Sequence, residues 1–160
     1  MTEKFTYFSP IGPLVIESEE DQIVKVLFSD TEVVTGGFDP ELKQTVSFQL
    51  DEYFAGRQFS FDLPVQPAGT IFQKRVWSQL CSIPYGNPIT YLDLALQLGD
   101  RNLIRAVGGA NSKNPIAIIV PCHRVIGMNN KLVGYAGGIW RKKWLLQHEN
   151  TYNPVKTTLL

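Results

Sequence analysis

The sequence predicts an α+β protein: a small antiparallel sheet with one helix, followed by a mostly helical part. Three observations carry this. Apolar and polar residues alternate through the opening stretch, the apolar spacing changes to three and four from Pro40, and helical spacing dominates after Thr70. The break falls near VQPAGT (65–70). It divides the chain into an N-terminal domain 1–66, a C-terminal domain 67–150 and a flexible tail 151–160.

KFTYF, LVIES and IVKVLFS are separated by the turn signals SPIGP and EEDQ, which together read as a short meander. From Pro40 to Ala55, Leu42, Val46, Leu50 and Phe54 recur four apart, with proline at the start and Gly56 at the stop. FSFDLP reads as an edge strand ending at its proline. Ile71 to Ser82 presents Phe72, Val76 and Leu80 on one helical face until PYGNP breaks the chain. Thr90 and Asp93 form a capping-box pattern ahead of YLDLALQL, and Gly99 ends that helix. After the link DRN, LIRAVGGANS carries Leu103, Val107 and Ala110 as a stripe, so the pair reads as a helix-turn-helix. The small residues of this second helix suit close approach to a groove; tight helix packing explains them equally well. NPIAIIVP reads as a buried strand leading to Cys122. Beyond the loop GMNNKLVGYAGG, a last helix IWRKKWLLQHE is expected to turn Ile139, Leu146 and Trp140 inward, with a frayed tail from Asn150.

A composition of 44% hydrophobic and 19% charged residues is that of a globular chain. No secretory leader pattern and no apolar run of roughly 18 residues is present, so a cytoplasmic protein (nuclear in a eukaryote) without a membrane partner is expected. Cys81, Cys122, His123 and His148 are too few and too scattered for a zinc cluster. No metal, cofactor or disulfide is expected. The net charge of zero hides an asymmetry: residues 1–70 hold 4 Lys/Arg against 12 Asp/Glu, whereas residues 101–148 hold eight Lys/Arg and no acid. A basic half suits a solvated surface or a polyanion such as nucleic acid.

That basic half contains VPCHRVI (120–126). A lone cysteine is usually inert, but a thiol becomes a nucleophile when a base or cation stands nearby, and His123 and Arg124 are adjacent to Cys122. On an extended chain neighbouring side chains point to opposite faces, so His123 and the thiol cannot easily touch. Cys81 lies on an amphipathic helix and is assigned to the core.

PCHRVIG, preceded by RAVGGANSKNP and followed by GYAGG and KKWLLQHE, resembles the O6-alkylguanine-DNA alkyltransferase family (methylated-DNA–protein-cysteine methyltransferases) from about IPYG at 83 to Glu149. The resemblance implies a ribonuclease H-like N-terminal domain and stoichiometric, suicide transfer of an alkyl group from O6-alkylguanine, and O4-alkylthymine, in double-stranded DNA to Cys122. It implies His123 as general base, Glu149 as its orienting partner, Asn114 as a hinge, and Tyr91 as the group that rotates the target phosphate and donates to guanine N3. Arg105 would fill the gap left by the flipped base, with Ala106, Gly108 and Arg124 also on the DNA side. Tyr135, Ala136 and Val125 would line the pocket. A monomer is expected, with cooperativity along DNA left open by the sequence. Ala136 stands where the family often has serine, DRNLI is bulkier than the usual run, and nothing in these 160 residues matches the zinc-binding domain of adaptive-response relatives, so repair without their transcriptional role is expected. The alternatives are a lesion-recognition protein without transfer, against which Cys122 itself argues, and an unrelated Cys-His hydrolase.

Overall fold

The computed structural model describes residues 2–34 and 36–155; positions 156–160 of the expected tail lie outside the described residues. The chain forms two units. One holds the chain up to Ala68 together with Pro115–Ala117, and the other holds Gly69–Asn114 and the chain from Ile118.

In the first unit, strands β1 (Thr2–Ser9), β2 (Gly12–Glu19) and β3 (Gln22–Phe28) make the antiparallel meander in that order. Glu19 pairs with Gln22, and the two residues between them, Glu20 and Asp21, take φ of 51° and 62°. This is the turn geometry that matches the right-handed twist of a tight hairpin. Alternation along the strands buries Phe5, Leu14, Ile16, Ile23 and Val26. Helix α1 (Pro40–Phe54) adds Val46, Leu50 and Tyr53. Asp39 caps α1 by accepting from the Leu42 N–H at 2.9 Å. At the far end Tyr53 is inward and Phe54 only half-buried, because steps of four residues drift around a helix of 3.6 residues per turn.

Two expected strands do not form. FSFDLP itself makes no bridge; the residue after it, Val65, bridges Ile23, with the Ile23 N–H donating to the Pro64 carbonyl at 2.7 Å. Pro64 has no N–H, so the ladder cannot extend. In NPIAIIVP only Ile116 bridges, opposite Val26. The chain then turns through Ile118, whose φ is +69°. A β-branched residue there is strained by a kcal/mol or more, about 1–3 kcal/mol in general. Complete burial of Ile118 holds the turn, and Asn114 Nδ2 donates across it to the Val120 carbonyl at 2.8 Å.

The second unit contains α2 (Ile71–Leu80), α3 (Tyr91–Gln97), α4 (Ile104–Ser112) and α5 (Ile139–Thr151), with a short parallel pair, β4 (Ile89–Thr90) and β5 (Val125–Ile126). Both arms of the Thr90–Asp93 capping box are made, and Thr70 with Gln73 forms a second one on α2. The Trp77 indole N–H donates to the Ala110 carbonyl at 2.8 Å, tying α2 to α4. A 3-10 turn, Arg101–Leu103, links α3 to α4 and completes the helix-turn-helix. Cys81 caps the end of α2 and is exposed, not in the core.

Helix α5 departs most from expectation. Ile139 and Trp140 are exposed, at 43% and 57%, while the buried face is Arg141, Lys142, Leu145, His148 and Glu149. The helix runs on to Thr151, and beyond it Asn153 is buried with its amide donating to the Gly86 carbonyl at 3.4 Å, so no free tail begins at Asn150. Gly86 itself has φ +76°, and a Cβ there would lie 2.5 Å from Asn153 Nδ2. Gly86→Ala should therefore lower stability by about 1–3 kcal/mol. Thermal denaturation of the two proteins checks this, and an unchanged midpoint would contradict it.

Candidate active site

VPCHRVI is not extended. Cys122–Arg124 form one 3-10 turn, so successive side chains leave the backbone about 120° apart rather than on opposite faces. All three are buried, with His123 at 0% exposure. The turn ends where Val125 pairs with Ile89.

The C-terminal end of α5 meets this turn through Glu149, 1% exposed. His123 Nε2 lies 2.7 Å from Glu149 Oε2, and Arg124 Nε donates to Oε1 at 2.7 Å while Nη2 reaches Oε2 at 3.1 Å. Burial alone would push this carboxyl up. The charge and hydrogen bond of His123, reinforced by Arg124, outweigh burial and hold it well below the usual carboxylate range. A carboxylate only accepts, so Nε2 carries a hydrogen, and in the neutral form of the ring the lone pair is at His123 Nδ1. That Nδ1 is buried and has no protein partner.

Arg124, expected on the DNA side, is instead part of this interior. Its Nη1 donates to the Ile83 carbonyl at 2.8 Å and its guanidinium lies 5.5 Å from the Tyr85 ring centroid. With 6% exposure and three hydrogen bonds to Glu149 and Ile83, its guanidinium is turned to the interior. IPYG is accordingly the cradle of the Arg124–Glu149 pair.

Around Cys122, 7% exposed, several polar groups converge. Burial pushes its thiol pKa up; a hydrogen bond from Asn114 and the Lys142 charge pull it back only in part. Asn111 Nδ2 donates to the Cys122 carbonyl at 3.3 Å. The Tyr91 hydroxyl donates to the Val133 carbonyl at 3.2 Å, and Lys142 Nζ donates to the same oxygen at 2.8 Å, lying 5.7 Å from the Tyr91 ring. Burial lowers Lys142 to about 8, against a raising influence from Cys122. Tyr135 has a buried hydroxyl without a partner, its phenol raised first by burial and then by the Cys122 charge. Ala136 is exposed and Val125 is buried in β5. Lys142 and Asn111 were not among the residues expected here. Their signal was spacing: Lys142, Leu145 and Glu149 share one face of α5, and Asn111 follows Val107 on the inner face of α4.

On the outer face of α4, Arg105 and Ala106 are exposed and Gly108 is half-buried. A Cβ on Gly108 would meet only Tyr91 Cδ1, at 3.9 Å, and one on Gly109 would meet nothing within 4 Å. Internal packing does not require either glycine. Of the eight basic residues of 101–148, Arg101, Arg105, Lys113, Lys131 and Lys143 are exposed, whereas Arg124, Arg141 and Lys142 are not.

The sequence matches two domains of one family: residues 71–151 the 6-O-methylguanine DNA methyltransferase DNA-binding domain, and residues 4–67 its ribonuclease-like domain. The chain belongs to the methylated-DNA–protein-cysteine methyltransferase family. Its members include the methylated-DNA–protein-cysteine methyltransferase of Methanosarcina acetivorans, 47% identical over 89% of this chain and 95% of that one. The Mycobacterium leprae protein of the same name is 47% identical over 88% of each. Among solved structures, Mycobacterium tuberculosis O6-methylguanine methyltransferase superposes with a TM-score of 0.85 at 40% identity over 99% of both chains. The same organism's protein in complex with DNA gives 0.85 at 44% identity over 98% of both. The fold is thus the α+β arrangement of this methyltransferase family, and the likeness extends through the N-terminal domain. Among the described residues no helix is long and apolar enough to cross a membrane.

Removing the Glu149 charge tests the network. Because the folded-state pKa is depressed, its stabilisation is present above the unfolded value near 4.3 and is lost as pH falls toward the folded value. Glu149→Gln should cost about 3–5 kcal/mol at neutral pH. Urea denaturation as a function of pH should show the gap to the wild type closing below about pH 4; a gap independent of pH would contradict the assignment.

Proposed function

We propose that the protein repairs DNA by moving the alkyl group of O6-alkylguanine, and of O4-alkylthymine, irreversibly onto Cys122 after minor-groove binding and base flipping. The observation that carries this reading is the buried Cys122 turn, in which His123 is held by Glu149 through one ring nitrogen and keeps the other unpartnered. Membership of a methyltransferase family and the match to its DNA-binding domain support it.

The steps follow from the donors present. His123 Nδ1 takes the thiol proton through a water, since Glu149 already occupies Nε2. The Cys122 sulfur attacks the alkyl carbon, the carbon–oxygen bond breaks, and its electron pair passes to the base. Tyr91, which donates to the Val133 carbonyl in the free protein, redirects its hydroxyl to guanine N3 and makes the base a better leaving group. Lys142, bonded to that same carbonyl, keeps a positive charge beside the tyrosine as its proton is given up. The products are intact guanine and a thioether on Cys122. Among the described residues no second nucleophile stands ready to release the thioether, so each molecule acts once.

The target sits inside a duplex and must be rotated out, at a cost of a few kcal/mol that is smaller for a weakly paired lesion. Exposed Arg105 on α4 fills the gap in the stack, and Ala106, Gly108 and Gly109 let the helix approach the groove closely. A lesion-binding protein without transfer has no use for a buried thiol with this base, and the transfer reading is preferred for that reason.

Intact mass after incubation with O6-methylguanine duplex should show one methyl group, on Cys122. Cys122→Ser should retain duplex binding and lose transfer; transfer at near wild-type rate by that variant would sink the reading. Gly109→Ala separates fold from DNA contact: alanine should raise helix stability by about 1 kcal/mol while weakening duplex binding several-fold. Fluorescence anisotropy measures the binding, and unchanged affinity would count against close approach by this face.

A further inference from the structure

Besides His123 and Arg124, the Glu149 carboxylate faces a backbone donor: the Gly86 N–H reaches Oε1 at 3.5 Å. Gly86 is the third residue of the turn 84–87, which the Asn87 N–H closes by donating to the Pro84 carbonyl at 3.1 Å. Its φ of +76° lies in the left-handed region that favours glycine, and this angle sets where its N–H and its carbonyl point. The turn is held on both sides. Asn87 Nδ2 donates to the Tyr85 carbonyl at 3.2 Å, and Asn153 Nδ2 donates to the Gly86 carbonyl at 3.4 Å. Asn153 is buried, and its Nδ2 lies 2.5 Å from where a Gly86 Cβ would stand, so the amide packs directly on the turn. Its Oδ1 accepts from the Val155 N–H at 3.2 Å, which fixes the way the amide faces.

A donor on a carboxylate oxygen stabilises the charge and makes the group a weaker acceptor for its other partners. The geometry points to Asn153 as a positioning residue for the alkyl transfer proposed above: by holding the Gly86 carbonyl it keeps the Gly86 N–H on Glu149, and so limits how tightly the carboxylate holds the imidazolium form of His123. The role rests on that reading, in which His123 must be neutral at Nδ1 to take the thiol proton. Asn153 lies beyond residues 71–151, which match the DNA-binding domain, and it carries no charge. Around the His123–Glu149 pair stand Cys122 and Arg124 of the turn, Tyr85 beside Gly86 and Tyr135 of the loop before α5, with Lys142 of α5 acting on Cys122. Replacing Asn153 alters none of these groups, so a change in His123 reports the 84–87 turn.

The test is the pH profile of single-turnover methyl transfer with O6-methylguanine duplex in excess, so that duplex affinity drops out. Asn153→Ala should move the acid limb upward by about half a pH unit, which slows transfer about threefold below the midpoint and leaves the high-pH plateau in place. The His123 ring, followed by nitrogen NMR over the same range, should show the same shift. Asn153→Leu keeps the volume and lacks the donor, and should behave alike if the alanine variant fails to fold. Tyr152→Ala trims the same segment by removing the ring beside His148, and should leave the limb where it is. A profile lowered by one factor at every pH means that Asn153 only supports the fold, and overturns the proposal. An unmoved limb in both Asn153 variants, or an equal shift in Tyr152→Ala, overturns it too. Absence of transfer by the wild type would be a failure of the alkyl-transfer reading, and the NMR midpoints would still decide whether Asn153 acts on His123.

Discussion

Burying the Glu149 carboxylate would cost several kcal/mol were it alone, and His123 and Arg124 offset that cost. Much of the second unit's geometry follows from this requirement. The carboxylate must be reached by two consecutive residues of one turn, which a 3-10 turn allows and an extended strand does not. Arg124 has more donors than one carboxylate can take, and the surplus is absorbed by the Ile83 carbonyl and the Tyr85 face. Gly86 then leaves room for Asn153. Three segments distant in sequence, 83–86, 122–124 and the end of α5, are thereby locked around one charge.

The same constraint explains why α5 turns polar residues inward. Its exposed Trp140 packs on Arg141, with the guanidinium 4.6 Å from the ring, while Arg141 Nη1 bonds the Gly137 carbonyl at 3.2 Å. Lys142 ties the helix to Val133 by the same means. The loop before the helix is thus held by cations that an amphipathic pattern would place in water. Stability is spent here on polar contacts that position Tyr91, Tyr135 and the turn, and Leu145 is left as the apolar anchor. Such exchanges between packing and placement are characteristic of functional sites.

What the sequence disclosed follows from which forces are local. The Thr90–Asp93 box, Pro40, Gly56 and Gly99 act within a turn of their own positions, and the elements they bound formed as read. The meander was legible because alternation with turn residues has few other solutions. NPIAIIVP misled because hydrophobicity reports burial and not φ; a left-handed Ile118 leaves no compositional trace. Arg124, Lys142 and Arg141 were read as surface charges because their partners, Glu149 and the carbonyls of Ile83, Val133 and Gly137, are brought near only by the fold. Cys122, His123 and Glu149 were legible through their motif and not through periodicity, which says nothing about a thiol's neighbours.

The thiol's resting state fits a protein used once. A permanently ionised thiolate would be an easy target for oxidants and stray electrophiles, and every such encounter would consume a molecule. Burial instead pushes the Cys122 thiol up, and the Asn114 hydrogen bond and the Lys142 charge pull it back only in part. On the mechanism proposed above, reactivity then depends on His123 removing the proton, for which Glu149 leaves one ring nitrogen without a partner. In that proposed mechanism Tyr91 couples to the same event, because its hydroxyl would have to leave the Val133 carbonyl to serve the base. On that proposal ionisation would wait until a lesion occupies the pocket, so that what limits the nucleophile in the free protein would also protect it.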